Sequence, residues 1–555
     1  MCEIYVPSFH EVHENPVDYI GTGNIPGIIA KLDVLQNLGF DAIKLSPFYP
    51  SPMVDGGYDV SDFVDVRADC GTLDDFEELV AQAHRRGIKV MIDLVPNHTS
   101  AQHPWFLESQ SSHTNPKADW YIWRDPAYDE HGNRIPPNNW TSDFSLPQLH
   151  KQSPEGVRVP GTANIPAVSG WEWHETRGQY YLRDFAAAQP NLNWNNPEVR
   201  AAMAQVARTW LGRDVDGIRV DVANHPAKDP AFTDEAPDPT YRDGIDNPSN
   251  QFDHTRSRNY LPLLRPYLTE LTAVVDGDPS RHMVLESWAE TVRQILDSIS
   301  PQASTFNFSQ ITHPHNAAIL QAQLDRYYAS LPDGHVGTQA YANHDVPGVA
   351  TRLGGAAARA MAVMNLTLPG IIFVYQKSIG GFQDSNVPPE LRRDSELGDG
   401  RDGVRTPMQW DSTPNAGFSQ AAAHQLWLPV DPDYETNNLE LQAQDPRSSF
   451  SLYRTLLHLR RGSATLRHGT YHPPQANHPD VLVFARRYQA VGERANQSLT
   501  VVNFSDRPVT TRLRNTQQVV GRVVLSSLSP RANAHVTTEA IHLQPHEAVF
   551  IVQSA

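Results

Sequence analysis

DGIRVDV, residues 216–222, has the composition of a buried β-strand except at two positions. Side chains at i and i+2 share one face of a strand, so Arg219 and Asp221 point one way while Ile218, Val220 and Val222 point the other. Opposite charges on one face of a buried strand form either a structural ion pair or half of an active site. The fold around the strand decides between the two.

Strands of the same kind recur along the chain: EIYV (3–6), DAIKLS (41–46), IKVMIDLV (88–95), HMVLES (282–287), TFNFS (305–309), QAYAN (339–343) and IIFVYQ (371–376). With GIRVDV (217–222) they number eight, and helix-like stretches over 26–38, 73–86, 197–212, 258–275, 289–298, 315–330 and 355–366 lie between them. Each parallel strand needs a crossover, and crossovers cover the outside of the sheet, so this alternation predicts a closed α/β structure, a (β/α)8 TIM barrel. An open doubly wound sheet is the alternative, but no G-x-G-x-x-G follows the first strand.

Residues 99–175 have little periodicity and are rich in Pro, Asn, Trp and His. They predict a loop-rich subdomain inserted after strand 3, at the barrel mouth. Beyond residue 466 the pattern becomes alternating strands between turn residues, in VLVFARRY, SLTVVNF, TTRLRN, GRVVLSS and EAVFIVQ. That predicts a C-terminal antiparallel β-sandwich. The resulting division is 1–98 and 176–466 for the barrel, 99–175 for the insertion and 467–555 for the sandwich.

With 555 residues, 39% of them hydrophobic, the chain can bury a large core and form more than one domain. Its net charge of −18 argues against nucleic acid or an anionic membrane as partner and favours a small neutral molecule. No run of 18 apolar residues and no basic start leading into an apolar segment is visible, so a soluble cytoplasmic protein is expected. Cys2 and Cys70 are too few for a disulfide framework and lack metal-ligand spacing, and are read as reduced thiols. No feature of the sequence specifies an oligomeric state.

Reacting groups of such barrels sit at the C-terminal ends of the strands. Those ends here carry Asp93, Asn97 and His98 (in DLVPNHTS), Arg219 and Asp221, Glu286, and His344 with Asp345 (in NHD). A lone Asp at a strand end usually caps a helix. Three carboxylates aimed into one mouth repel one another unless a ligand or a shared proton relieves them, and together with two His and an Arg they describe a site. Two carboxylates flanking a bond, one nucleophilic and one protonated, are the apparatus of retaining glycoside hydrolysis, with the third free to brace the substrate. There is no G-x-S-x-G elbow, no H-E-x-x-H and no phosphate-binding Gly loop. A metal hydrolase built from His98, His344 and the Asp residues is the competing reading, although no H-x-H tandem is present.

DLVPNHTS, GIRVD, LESW and NHD resemble, in order and spacing, the four sequence regions of the α-amylase family of glycoside hydrolases. SPMVDGGYDVSDF, RGQYYLRDF, QPNLNWNNPEVR and GRDGVRTPMQW resemble its branch of α-glucosidases, oligo-1,6-glucosidases and sucrose isomerases. The resemblance implies that Asp221 is the nucleophile, Glu286 the acid and then the base, and Asp345 the group that holds the sugar hydroxyls, with His344 and His98 beside it. It implies that Arg219 keeps Asp221 ionised, that Asp55 and Arg401 grip the terminal glucose, that Tyr58 stacks on that sugar and that Phe185 walls the leaving-group side. It further implies an exo-acting α-glucosidase on short neutral α-glucosides, with transglucosylation and without a cofactor. The branch often binds a divalent cation in an N-terminal loop. Here Pro16, Ile20 and Asn24 stand where its acidic ligands would be, so no metal is expected.

Lys377 and Ser378 in YQKSIGG depart from the branch, NHDVPGVATR lacks an arginine found in relatives, and 145–168 reads as a lengthened loop. Val222 is the residue type associated with α-1,6 linkages, whereas ANHPAKDP (223–230) is closer to α-1,4 enzymes. A sucrose-directed glucosidase or isomerase, and a non-catalytic relative acting as a binding subunit, are the alternative readings.

Overall fold

The computed structural model describes residues 1–145, 168–241, 251–288, 296, 299–394, 400–489, 496–514, 520–528 and 534–553. All eight strands are present: β1 (Cys2–Ile4), β2 (Ala42–Leu45), β3 (Lys89–Leu94), β4 (Gly217–Val220), β5 (His282–Leu285), β6 (Ala303–Asn307), β7 (Thr338–Ala340) and β8 (Ile371–Tyr375). They close in chain order into one parallel barrel, β8 pairing back onto β1. Helices α1 (Ile25–Leu38), α2 (Leu73–Arg85), α3 (Pro197–Leu211), α4 (Leu261–Thr272), α5 (Ala317–Ala329) and α6 (Gly355–Thr367) answer to six of the seven helical patterns. The seventh, 289–298, lies almost wholly outside the described residues.

The period-two alternation of the strands sorts their side chains cleanly. Cys2, Ile4, Ile43, Leu45, Val90, Ile92, Leu94, Ile218, Val220, Met283, Leu285, Ile372 and Val374 join the main apolar cluster together with Ile28 and Leu32 of α1 and Leu79 of α2. Their alternates turn inward. On one half of the barrel they include the apolar Val284, Phe306 and Phe373, which meet Met91, beside Ser304 and Thr338, whose hydroxyls bond each other. On the other half they are Glu3, Lys44, Asp93 and Arg219, all buried.

Between β3 and β4 the chain forms short antiparallel pieces, Trp123–Arg124 with Gln179–Leu182 and Trp171–His174, and residues 146–167 of this insertion lie outside the described residues. From Thr470 on, the described residues form a six-stranded antiparallel sheet and two smaller strand pairs, Val509–Thr511 with Ile541–Leu543 and Gln475–Ala476 with Leu513–Arg514. Alternation again assigns the faces. Val481, Val483, Val501, Val549 and Ile551 form the sandwich interior with Val509 and Ile541, while Leu482, Phe484, Val502 and Phe550 belong to the barrel's main cluster. Among the described residues no helix is long and apolar enough to cross a membrane.

Candidate active site

Strand β4 ends at Val220, two residues earlier than the pattern predicts. Asp221 N–H still reaches back to the Leu94 carbonyl of β3 at 2.8 Å. Val222 then takes φ +36°, a conformation that β-branched residues avoid, at a cost on the order of 1–3 kcal/mol. The turn redirects the next two N–H groups: Val222 N donates to Glu286 Oε2 (3.1 Å) and Ala223 N to the Glu286 carbonyl (2.7 Å). Val222 therefore does not continue the alternation of Ile218 and Val220 toward the helices. It lines the pocket instead, because the chain has left the strand before its side chain is placed.

Arg219 lies beneath this turn and is buried. Its Nη1 donates to Asp221 Oδ1 (2.7 Å) and Asp93 Oδ1 (2.6 Å), and its Nη2 lies 2.5 Å from Glu286 Oε2. One guanidinium thus fixes three carboxylates, using the planar fork that arginine alone supplies. On the opposite side, Asp345 Oδ1 accepts from Arg401 Nη1 and Arg405 Nη2, both at 2.8 Å, and Arg401 also pairs with Asp55 and with Asp394. The two arginines come from the loop beyond β8, so Asp345 is held without an arginine immediately after NHD. His344 lies 3.3 Å from Asp345 through Nε2, and its ring is stacked between Tyr5 and Tyr58.

Asp55, Tyr58, His98, Phe185, Asp221, Val222, Glu286, Asp345 and Arg401 converge on a single pocket, with Phe144 and Trp288 completing its lining. Arg219 and His344 form the layer below. His98 lines the same pocket as Asp345; it shares Gln189 with Asp55, at 3.1 Å and 2.9 Å, and packs edge-on against Phe185. Phe185 is stacked on His225, whose Nδ1 lies 3.1 Å from Asp184 beside Lys228 (2.8 Å). Phe144, Trp288, Arg405, Asp394 and Gln189 escape a sequence reading. The aromatics look like packing residues; Trp288 in LESW, Gln189 in QPNLNWNNPEVR and Arg405 in GRDGVRTPMQW stand inside recognised motifs without an assigned role, and Asp394 lies outside any of them. Lys377 is buried behind the site, where Nζ reaches Thr406 Oγ1 at 2.5 Å and so ties the loop after β8 to the segment bearing Arg405.

Burial first, and then Glu286, Asp93 and Asp345, push the Asp221 carboxyl above the ordinary carboxylate range against the pull of Arg219. The expectation that Arg219 keeps Asp221 low has the sign of that one contact right, but desolvation and three like charges outweigh it. Burial also pushes Asp345 up, but His344, Arg401, Arg405 and Arg219 together outweigh it and hold that carboxylate well below its usual range. Burial draws His98 down to about 4, so it is neutral near neutral pH.

In the N-terminal loop, Glu11 is buried and accepts from Ile20 N (2.8 Å) and Gly21 N (3.0 Å) as well as from Ser419. Asn24 caps α1 through Gly27 N. Donors converge on Glu11 here, which is the reverse of a cation site. Among the described residues no group of three His, Cys, Asp or Glu is placed to hold a metal ion.

A barrel with this carboxylate arrangement has the architecture of a glycoside hydrolase, and the chain belongs to the alpha-amylase catalytic domain family, whose description it matches over residues 3–469. It is 33% identical to maltase 1 of Drosophila virilis, over 99% of this chain and 85% of that protein. It is 32% identical to an oligo-1,6-glucosidase of Halalkalibacterium halodurans, over 98% of this chain and 96% of that protein. The crystal structure of an alpha-glucosyl transfer enzyme superposes with a TM-score of 0.84 at 31% identity, covering 100% of this chain and 98% of that one.

Proposed function

We propose that the protein is a retaining, exo-acting α-glucosidase that removes the terminal non-reducing glucose from short α-glucosides and transfers it when an acceptor outcompetes water. The observation that carries this reading is the single Arg219 guanidinium gripping both Asp221 and Glu286, across the pocket from the Asp55–Arg401–Asp345 bridge. Double displacement needs one proton on this pair of carboxyls. With it on Glu286, Asp221 attacks the anomeric carbon as Glu286 gives the proton to the departing oxygen; the bond to the leaving sugar breaks and an ester to Asp221 forms. Glu286, now ionised, takes a proton from water or from an acceptor hydroxyl, whose oxygen displaces Asp221. Both displacements invert the carbon, so the product retains its configuration. Asp345, held ionised by its two arginines, accepts hydrogen bonds from sugar hydroxyls, and the Asp55–Arg401 pair closes the pocket behind one glucose.

The named relatives, a maltase, an oligo-1,6-glucosidase and an alpha-glucosyl transfer enzyme, support α-glucosides as substrates and transfer as a second outcome. No cofactor enters these steps, because nucleophile and acid are both side chains. We read the partners as small neutral sugars rather than nucleic acid or membrane. The two buried free thiols suit a reducing compartment such as the cytoplasm. The insertion at 99–175 then shapes the mouth, and the sandwich at 467–555 carries no reacting group.

Maltose, isomaltose, nigerose, sucrose and trehalose, followed by NMR over time, test this reading. α-Glucose should appear first, with transfer products at high substrate, and Asp221→Asn should lower turnover at least about a thousandfold. Initial release of β-glucose, or turnover by Asp221→Asn equal to the parent's, would refute it. An isomeric disaccharide formed from sucrose without glucose would instead mark an isomerase.

A further inference from the structure

Four consecutive barrel strands each turn one charged side chain inward, and the signs alternate: Glu3 on β1, Lys44 on β2, Asp93 on β3 and Arg219 on β4. Glu3 is in register with Lys44, and Asp93 with Arg219. Barrel interiors are ordinarily filled by branched apolar residues, and the other half of this one is packed around Val284, Phe306 and Phe373. Lys44 is 1% exposed. Its Nζ lies 2.7 Å from Asp93 Oδ2 and 3.6 Å from Glu3 Oε1, and beyond these ion pairs it makes no well-aligned hydrogen bond among the described residues. A buried ammonium is costly unless it is paired, so its presence calls for a reason.

The reason lies one layer up. Arg219 serves three carboxylates, and its Nη1 is divided between Asp93 and Asp221. Lys44 and the Tyr58 hydroxyl (2.9 Å) satisfy the second oxygen of Asp93. Without Lys44, Asp93 would carry its full charge against Arg219 and draw the guanidinium away from Asp221 and Glu286. Glu3 pairs with Lys44 and, through the same oxygen, accepts from His344 Nδ1 at 2.9 Å, which turns His344 Nε2 toward Asp345.

We infer that Lys44 and Glu3 are positioning residues of the reaction: Lys44 holds Asp93 so that Arg219 stays on Asp221 and Glu286, and Glu3 anchors both Lys44 and the His344 ring beside Asp345. This rests on the glucosidase reading above. The groups facing Asp221 are Arg219, Glu286, Asp93, Asp345 and the Tyr58 hydroxyl, and those facing Glu3 are Lys44, His344, Arg219 and the Tyr375 hydroxyl.

The test is the pH profile of kcat/KM on p-nitrophenyl α-glucoside for Lys44→Met, Lys44→Arg and the double variant Glu3→Gln/Lys44→Met, with Tm measured on each. Losing the Lys44 charge should hinder ionisation of Asp221, moving the acidic limb upward by about one pH unit and lowering kcat about tenfold with KM little changed. Lys44→Arg should keep the parent limb. The double variant, which removes one charge of each sign, should fall between the two, and it decides the matter if Lys44→Met does not fold. An acidic limb at the parent's pH in both Met variants, with only Tm lowered, would make the pair merely structural and overturn the inference. A silent parent enzyme would remove the glucosidase reading and the pair's role with it; an active parent with unmoved limbs removes the pair's role alone.

Discussion

Val222 is strained so that Glu286 can receive a backbone N–H, and this separates its backbone role from its side-chain role. Glycine adopts φ +36° freely, so Val222→Gly should keep the turn and gain about 1 kcal/mol of stability in urea unfolding, strain relief exceeding the added chain entropy. The same change removes the isopropyl group from the pocket wall. The ratio of kcat/KM on isomaltose to that on maltose should then shift by about ten- to a hundredfold, the range of a small apolar contact. Glu286→Gln separates the acid from the nucleophile in another way. Turnover of maltose should fall by about 10²–10⁴, whereas p-nitrophenyl α-glucoside, whose leaving group departs without a proton, should lose much less. Equal losses on the two substrates would place the acid elsewhere.

At the scale of elements, two arginines clamp the C-terminal end of α6. Arg460 donates to the Leu366, Leu368 and Gly370 carbonyls, and Arg486, 1% exposed on the first long strand of the sandwich, donates to Thr367, Leu466 and Gly469. A helix end leaves its last carbonyls unpaired, and cations suit it. Arg486→Met strands three buried carbonyls and should cost about 3 kcal/mol in denaturant unfolding while leaving kcat per folded molecule unchanged. Nothing in VLVFARRY announces this clamp, because one buried and one half-buried Arg look alike in sequence. The strands, by contrast, were legible because nearly all have apolar residues on the helix-facing side; β7, with Gln339 there, is the exception. The pocket carboxylates Asp221, Glu286 and Asp345 were legible because they follow the C-terminal ends of those strands. The strand end at Val220 was not, since a left-handed turn at a valine contradicts local propensity and is imposed by the bond to Glu286. Asp394 was hidden for a different reason: it reaches Arg401 only through the fold of a loop, whereas Arg405 stood unassigned inside GRDGVRTPMQW.

Over the whole molecule, the barrel's helix layer and one face of the C-terminal sheet share a single apolar cluster. Leu482, Phe484, Val502 and Phe550 would be left uncovered if the two were parted, and so would the α6 surface they pack on. A chain ending at residue 469 should therefore not yield a soluble, active barrel, and calorimetry of the full chain should give one transition rather than two. Two separated transitions, or an active truncated barrel, would show the sandwich to be independent. The charge layout is also a property of the whole. Half of the barrel interior carries ions and supports the pocket carboxylates above it, while the other half packs around Val284, Phe306 and Phe373.

The assignment of Asp221 as nucleophile is tested most directly by trapping the ester. Incubation with a fluorinated α-glucosyl fluoride, peptic digestion and mass spectrometry should find the sugar on the peptide containing Asp221, with activity recovering as an acceptor releases it. Label on Glu286 or Asp345, or inhibition without any covalent adduct, would contradict the double-displacement mechanism.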